Sequence, residues 1–340
     1  MKHKQNSTTT THSSTLPTTL IDKKKAAAKK ITNWNQYNKA LVRRGNISLY
    51  VTEAAANRVH LVPPQTGKAG HPKQYSDDLI IFILTIRELF HLPLRQSLGV
   101  VGGLLSLAGL DWQLPDFSTL SRRMGTLTVD FCPRFRGENV VFLLDSSGFK
   151  VFGEGEWKVR KHGLGYRRTW RETHLAIDFA TRNVVSLVNT KPSVGDSTQL
   201  VPLLDGALEK HRVTTIIGDG AYDAKDGYLL ARELGVTLIV PPPKNATEHL
   251  NMYHYQLYDQ PNWKERNEVV RRVDEVGLTT WKQEVGYHRR SLVENTFYRF
   301  KQLFGANLKS RTEPAQYTEQ CIRASLLNRF NEMGLPTYVT

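Results

Sequence analysis

Three features of the 340-residue chain predict an α/β protein, a mixed sheet with flanking helices behind a helical, basic N-terminal region. Two short apolar runs, "VVFLLD" and "VTTIIGD", each end in an acid, as a buried strand does where it leaves a sheet. A hairpin pattern and two helical patterns accompany them, giving strand, helix, strand, helix, strand along the second half of the chain. Before residue 136 the apolar residues recur at helical spacing.

Taken in order, residues 1–30 form a basic, Ser/Thr-rich tail with too few large apolar groups to bury a core. Residues 31–135 form a helical region. A small unit runs from Trp34 to about Ala56, and "VPPQTGKAGHPKQ" reads as a linker. Ser76 caps a helix that opens with two acids and reaches about His91. "LPLRQSLGVVGGLLSLAGL" is a second helix, "DWQLPD" a turn, and "FSTLSRRMGTL" a third, basic and hydroxyl-rich helix. Three such helices make either a helix-turn-helix unit, whose last helix enters a major groove, or a helical cap on the next domain. Residues 136–330 hold the sheet: "WRETHLAIDFATRNVVSLVNT" is a hairpin, "SVGDSTQLVPLLDGALEKH" and "AKDGYLLARELG" are helices, and "VTLIVPPP" is a strand. A polar interval around 244–284 accommodates a small insertion, and 331–340 is a C-terminal tail.

The charge narrows the partner. The net charge is +14, and residues 1–75 carry 13 Lys or Arg against 2 Asp or Glu. Nucleic acid is the leading polyanion; a tail that only aids solubility is the plainer alternative. "LIIFILTI" is far too short to span a bilayer, and the N-terminus lacks the apolar centre of a signal peptide. Cys132 and Cys321 make neither a disulfide framework nor a zinc site. A reducing cytoplasm and no membrane partner are therefore expected.

The chemistry lies where the strands end. If the strands before Asp145 and Asp219 are parallel neighbours, they stand about 4.8 Å apart and present both carboxylates at the carboxyl edge of the sheet, where α/β folds bind ligands. Carboxylates that close repel, and Mg²⁺ is the natural ion between them. Either acid alone reads equally as a turn residue or a helix cap. Asp178 reads as a hairpin residue, Asp196 as a helix cap, and Asp223 as the cap of the helix after the next strand. His162 and His174 read as nucleic-acid contacts or structural groups rather than metal ligands. A third acid comes from "YHRRSLVENTFYRFK": on a helical wheel Tyr287, Arg290, Tyr298 and Lys301 fall within about 40° of Glu294. Val293, Phe297, Phe300 and Phe304 form the adjoining apolar stripe.

The spacing Tyr287, Arg290, Glu294, Lys301, together with "DSSGFKVFGEGEWKVRKHG" and "GDGAYD", resembles bacterial insertion-sequence transposases with a DDE triad, of insertion sequence family five, related to family four. The resemblance implies an RNase H-like catalytic domain in which Asp145, Asp219 and Glu294 are catalytic and hold two Mg²⁺, with Mn²⁺ as a substitute. It implies phosphate contacts from Arg290 and Lys301, a phosphate hydrogen bond or stacking near a displaced base from Tyr287, and a backbone-tracking segment that includes Lys158, Arg160 and Lys161. It also implies transposon ends and target DNA as partners, a homodimer in the DNA-bound complex, and a nucleoid-associated bacterial protein. The rival readings are an RNase H-like nuclease without strand transfer, a domesticated sequence-specific DNA-binding protein, and a small-molecule phosphatase.

Overall fold

The computed structural model describes residues 30–62, 73–133, 139–151, 170–205, 207–253 and 256–339, to which every structural statement below refers. Five strands form the central path of one mixed sheet. Strands β1 (Val140–Val151), β2 (Trp170–Asp178) and β3 (Val184–Thr190) make an antiparallel meander; β4 (Val213–Ile217) and β5 (Thr237–Ile239) add in parallel, giving the order β3-β2-β1-β4-β5. The interval 244–284 holds a hairpin, β6 (Leu250–Tyr253) with β7 (Gln256–Asp259), and two helices, and β8 (Asn307–Leu308) pairs with the far end of β1.

In chain order the helices are α1 (Trp34–Arg44), α2 (Ile47–Ala56), α3 (Asp77–Leu89), α4 (Leu94–Leu107), α5 (Phe117–Arg123), α6 (Leu200–Leu204), α7 (Ala207–Lys210), α8 (Lys225–Leu234), α9 (Lys264–Val276), α10 (Leu278–Glu284), α11 (Ser291–Phe304) and α12 (Glu313–Met333). Ser76 caps α3 as its sequence predicts, its hydroxyl accepting from the Leu79 amide at 3.0 Å. Asp116 does the same for α5 through the Ser118 amide at 2.7 Å. The helix expected over "SVGDSTQLVPLLDGALEKH" is divided, a 3₁₀ turn at Asp196–Gln199 preceding α6 and α7.

Each face of the sheet has its own core, because alternate residues of a strand point to opposite faces. Phe142, Leu144, Ala176 and Ile216 pack against Leu200, Leu203 and Leu204 of α6 and Tyr228 and Ala231 of α8. Leu143, Phe149, Leu175, Ile177 and Ile217 share the other core with Val293, Phe297, Phe300 and Phe304 of α11 and with α12. That second core continues without a break into Leu79, Ile83, Leu84, Val101, Leu105 and Leu120 of the N-terminal helices. The N-terminal helices therefore form a layer upon α12. Beyond Met333 the chain runs back to the start, with Tyr338 bridged to Ile31 and the Thr32 amide donating to the Thr337 carbonyl at 2.8 Å.

Strand β1 departs from expectation. Asp145 was expected at its end, yet the strand continues six residues further, to Val151. The reason is the partner on the other side: β2 pairs with β1 from Phe142 to Lys150, whereas the parallel partner β4 reaches only Leu143. Asp145 thus stands just past the end of the parallel pairing, in a strand held straight by its antiparallel neighbour.

The two layers are joined by a buried ion network. Arg323 of α12 donates to Glu88 of α3 at 2.8 Å and to Glu319 at 2.5 Å, and all three side chains are at most 1% exposed. Glu319 also accepts from the Lys309 and Ser310 amides, and Arg323 holds its carboxyl below the usual range against the opposing effect of burial. Removing Arg323 takes the hydrogen-bonded cation from two buried carboxylates and leaves Arg87, 3.3 Å from Glu88, as the remaining counter-charge, which costs about 3–5 kcal/mol. Arg323→Ala is accordingly expected to lower the unfolding free energy by an amount of that order, measured by urea denaturation followed by circular dichroism. A shift below about 1 kcal/mol contradicts this role.

Candidate active site

The first two acids meet through strand register. Leu143 of β1 is paired with Ile217 of β4, and Asp145 and Asp219 each lie two residues further on. A two-residue step preserves the face, so both carboxylates follow Leu143 and Ile217 onto the side covered by α11. After Ile217 the chain turns sharply: Asp219 Oδ1 accepts from the Ala221 amide at 3.0 Å, opening a 3₁₀ turn at Gly220–Tyr222. Gly218 is needed there, since a Cβ would stand 3.0 Å from the Tyr222 ring, itself 1% exposed.

The turn is clamped from outside. Arg266 of α9 binds Asp223 with both ends of its guanidinium, Nε to Oδ1 at 3.0 Å and a terminal nitrogen to Oδ2 at 2.9 Å. It also reaches the Thr247 carbonyl at 3.1 Å, and the Tyr228 hydroxyl meets Asp223 at 3.3 Å. The expected cap role of Asp223 is thus overturned: Ala224 precedes α8, and the Asp223 carboxylate is engaged by a buried arginine 43 residues away.

Glu294 arrives on α11. Val293, Phe297, Phe300 and Phe304 are each at most 5% exposed, and burying such side chains contributes roughly 1.5–3 kcal/mol apiece. That stripe fixes the rotation of the helix and leaves Glu294 on its open side. The preceding segment is not the same helix, as the wheel had assumed. Gly286 adopts a left-handed conformation, φ 65°, and Tyr287–Arg290 form a separate 3₁₀ turn before Ser291. Even so, the turn delivers Arg290 to the acids: its guanidinium lies 3.3 Å from Asp145 Oδ1 and forms an ion pair and hydrogen bond with Glu294.

The electrostatics confirm that the three acids share one region. Burial pushes the Asp145 carboxyl up to about 6, and the charges of Asp219 and Glu294 push the same way, against the pull of Arg290. Burial also raises the Tyr287 hydroxyl; its ring lies 5.9 Å from the Arg290 guanidinium. Lys301, two turns after Glu294, donates to the Ser147 hydroxyl at 2.6 Å and lies 5.0 Å from the Phe149 ring, beside Asp145 on the same face. Tyr298 of the same stripe is exposed. Lys158, Arg160, Lys161 and His162 lie outside the described residues.

On the reverse face of β1, Ser146 meets two further acids, Glu172 and Asp196, each at 3.1 Å. Asp196 was expected as a helix cap but makes no capping bond; its carboxylate faces Ser146 and His174. His174 is 0% exposed, which excludes contact with nucleic acid. Asp178 is a hairpin residue as expected, its carboxylate accepting from the Ala180 and Thr181 amides. Among the described residues no group of three His, Cys, Asp or Glu side chains is already closed around a metal position, and no helix is long and apolar enough to cross a membrane.

Comparison with known families identifies the domain that carries these residues. A family model described as "Transposase DDE domain" matches residues 136–329, the sheet together with α11 and most of α12. A second model of the same description matches residues 42–154, the N-terminal layer and β1. An uncharacterised protein of Aquifex aeolicus (strain VF5) is 26% identical over 264 residues, covering 71% of this chain and 79% of that protein. The mixed sheet with its flanking helices is an RNase H-like transposase domain, and the chain belongs to the DDE transposase family.

Proposed function

We propose that this transposase binds the terminal inverted repeats of its insertion sequence and catalyses Mg²⁺-dependent strand cleavage and strand transfer, with Asp145, Asp219 and Glu294 as its catalytic acids. The observation that carries the reading is their convergence: Arg290 touches Asp145 and Glu294 together, and Asp219 follows Asp145 on the neighbouring strand. The donor set fits divalent ions, which transposases of this class use. Three carboxylates supply hard oxygen ligands, the donor type that such ions take. Held by these three acids, such ions would supply charge neutralisation and activation of the attacking and leaving oxygens of phosphoryl transfer.

The protein's own residues do the positioning. The β1–β4 register holds the two aspartates rigidly, and the apolar stripe of α11 sets Glu294 against them. Arg290 is the counter-charge of Asp145 and Glu294 in the free protein and turns to a substrate phosphate in the complex. Lys301 and Tyr287 flank the scissile bond from the same helix and turn. Ser118, Ser121 and Arg122 are exposed on α5, which suits a helix reading the transposon ends; Lys158, Arg160 and Lys161 track the backbone. A homodimer on paired ends and attack on target DNA complete the reading.

Asp145→Ala, Asp219→Ala and Glu294→Ala are each expected to abolish cleavage of an end-containing duplex in Mg²⁺ while end binding by gel shift persists. Wild-type cleavage by any one of them removes that residue from the triad. Release of a nick without joining of a pre-cut 3′ end to a target favours the nuclease reading instead.

Arg290→Ala and Lys301→Ala are each expected to reduce the slope of log affinity against log salt by about one unit, the signature of one lost phosphate contact. An unchanged slope in either variant contradicts its phosphate role.

A further inference from the structure

The reverse face of β1 carries polar groups that the catalytic reading does not use. Ser146 has one hydroxyl hydrogen, yet both the Glu172 and the Asp196 carboxylates lie 3.1 Å from its oxygen. One of those contacts has no proton to hold it. Beside them His174, 0% exposed, leaves its Nδ1 without a hydrogen-bond partner. Its other ring nitrogen, Nε2, lies 2.9 Å from the Thr190 hydroxyl, and Asp196 Oδ1 lies 3.6 Å from Nδ1. The Tyr222 hydroxyl, buried on the same face, is also without a partner.

The 3.6 Å separation is too long for a hydrogen bond and suits two ligands of one ion. Donors bound at about 2.1 Å in tetrahedral geometry stand about 3.4 Å apart. An Nε2–H donated to Thr190 leaves the Nδ1 lone pair free, the arrangement in which a metal-bound histidine is oriented by its other nitrogen.

We propose that His174 Nδ1, the Asp196 carboxylate and the Glu172 carboxylate bind one first-row transition dication, of the Mn²⁺ or Zn²⁺ class, at a site separate from the catalytic triad. His174 and Asp196 are already at ligand spacing, and Glu172 joins them by rotation of its side chain away from Ser146. Mixed nitrogen and carboxylate donors favour such ions over Mg²⁺ and Ca²⁺, which prefer oxygen alone. The ion ties β2 to the turn at Asp196–Gln199 and offsets the acids behind Asp145. None of this depends on the proposed reaction.

The test uses the full chain with its catalytic acids neutralised, Asp145→Asn, Asp219→Asn and Glu294→Gln, so that remaining binding belongs elsewhere. Mn²⁺ is titrated and followed by electron paramagnetic resonance, Zn²⁺ by calorimetry, with Mg²⁺ as the comparison. One bound Mn²⁺ or Zn²⁺ per chain is expected, together with a raised thermal midpoint that Mg²⁺ does not reproduce. Adding Asp196→Asn or His174→Gln should abolish both signals while the metal-free midpoint stays near that of the parent, and Thr190→Val should weaken binding by about 10–100-fold. Absence of binding in the triad-neutralised chain overturns the proposal, as does binding that survives Asp196→Asn and His174→Gln.

Discussion

Parallel pairing of β1 with β4 is the constraint on which the rest of the molecule turns. It directs Asp145 and Asp219 to one face of the sheet, where the charges of Asp219 and Glu294 add to the effect of burial on Asp145 and a cation has to offset them. Arg290 does this in the free protein, bridging Asp145 and Glu294. A pair of acids kept apart by a looser fold would need no counter-charge and would offer no metal a seat.

Rigid support follows from that demand. Asp145 sits within a strand held on its other edge by β2, Asp219 sits in a turn clamped by Asp223 and Arg266, and Glu294 rides on a helix whose four apolar residues are sunk into the core. A catalytic group carried on such elements keeps its place without ordering cost when substrate arrives. The N-terminal helices share the same core and are ion-paired to α12 through Glu88 and Arg323. Whatever α5 contacts is therefore mechanically continuous with the sheet that carries the acids.

Much of this is legible in the residues. Apolar runs that end in "LLD" and "IGD" announce the two aspartates, because an acid that follows buried strand residues has few places to point. The apolar stripe of α11 announces Glu294 for a similar reason. What escapes a linear reading depends on partners distant in sequence. The continuation of β1 past Asp145 is dictated by β2, the engagement of Asp223 by an arginine 43 positions on, and the grouping of Ser146 with Glu172, His174 and Asp196 by sheet register. The break between the turn at Tyr287–Arg290 and α11 follows from backbone geometry at Gly286 that a uniform helical wheel does not represent. Sequence and structure agree where a residue's role is set by its own strand or helix, and part where it is set across the fold.

The central claim is that Asp145, Asp219 and Glu294 bind the catalytic metal directly. Replacing each in turn by cysteine tests this most directly, because a thiolate is a poor ligand for Mg²⁺ and an acceptable one for softer Mn²⁺. Cleavage of transposon-end DNA is measured in each ion. The account predicts that all three variants are inactive in Mg²⁺ and regain measurable cleavage in Mn²⁺. Undiminished cleavage in Mg²⁺ would contradict it.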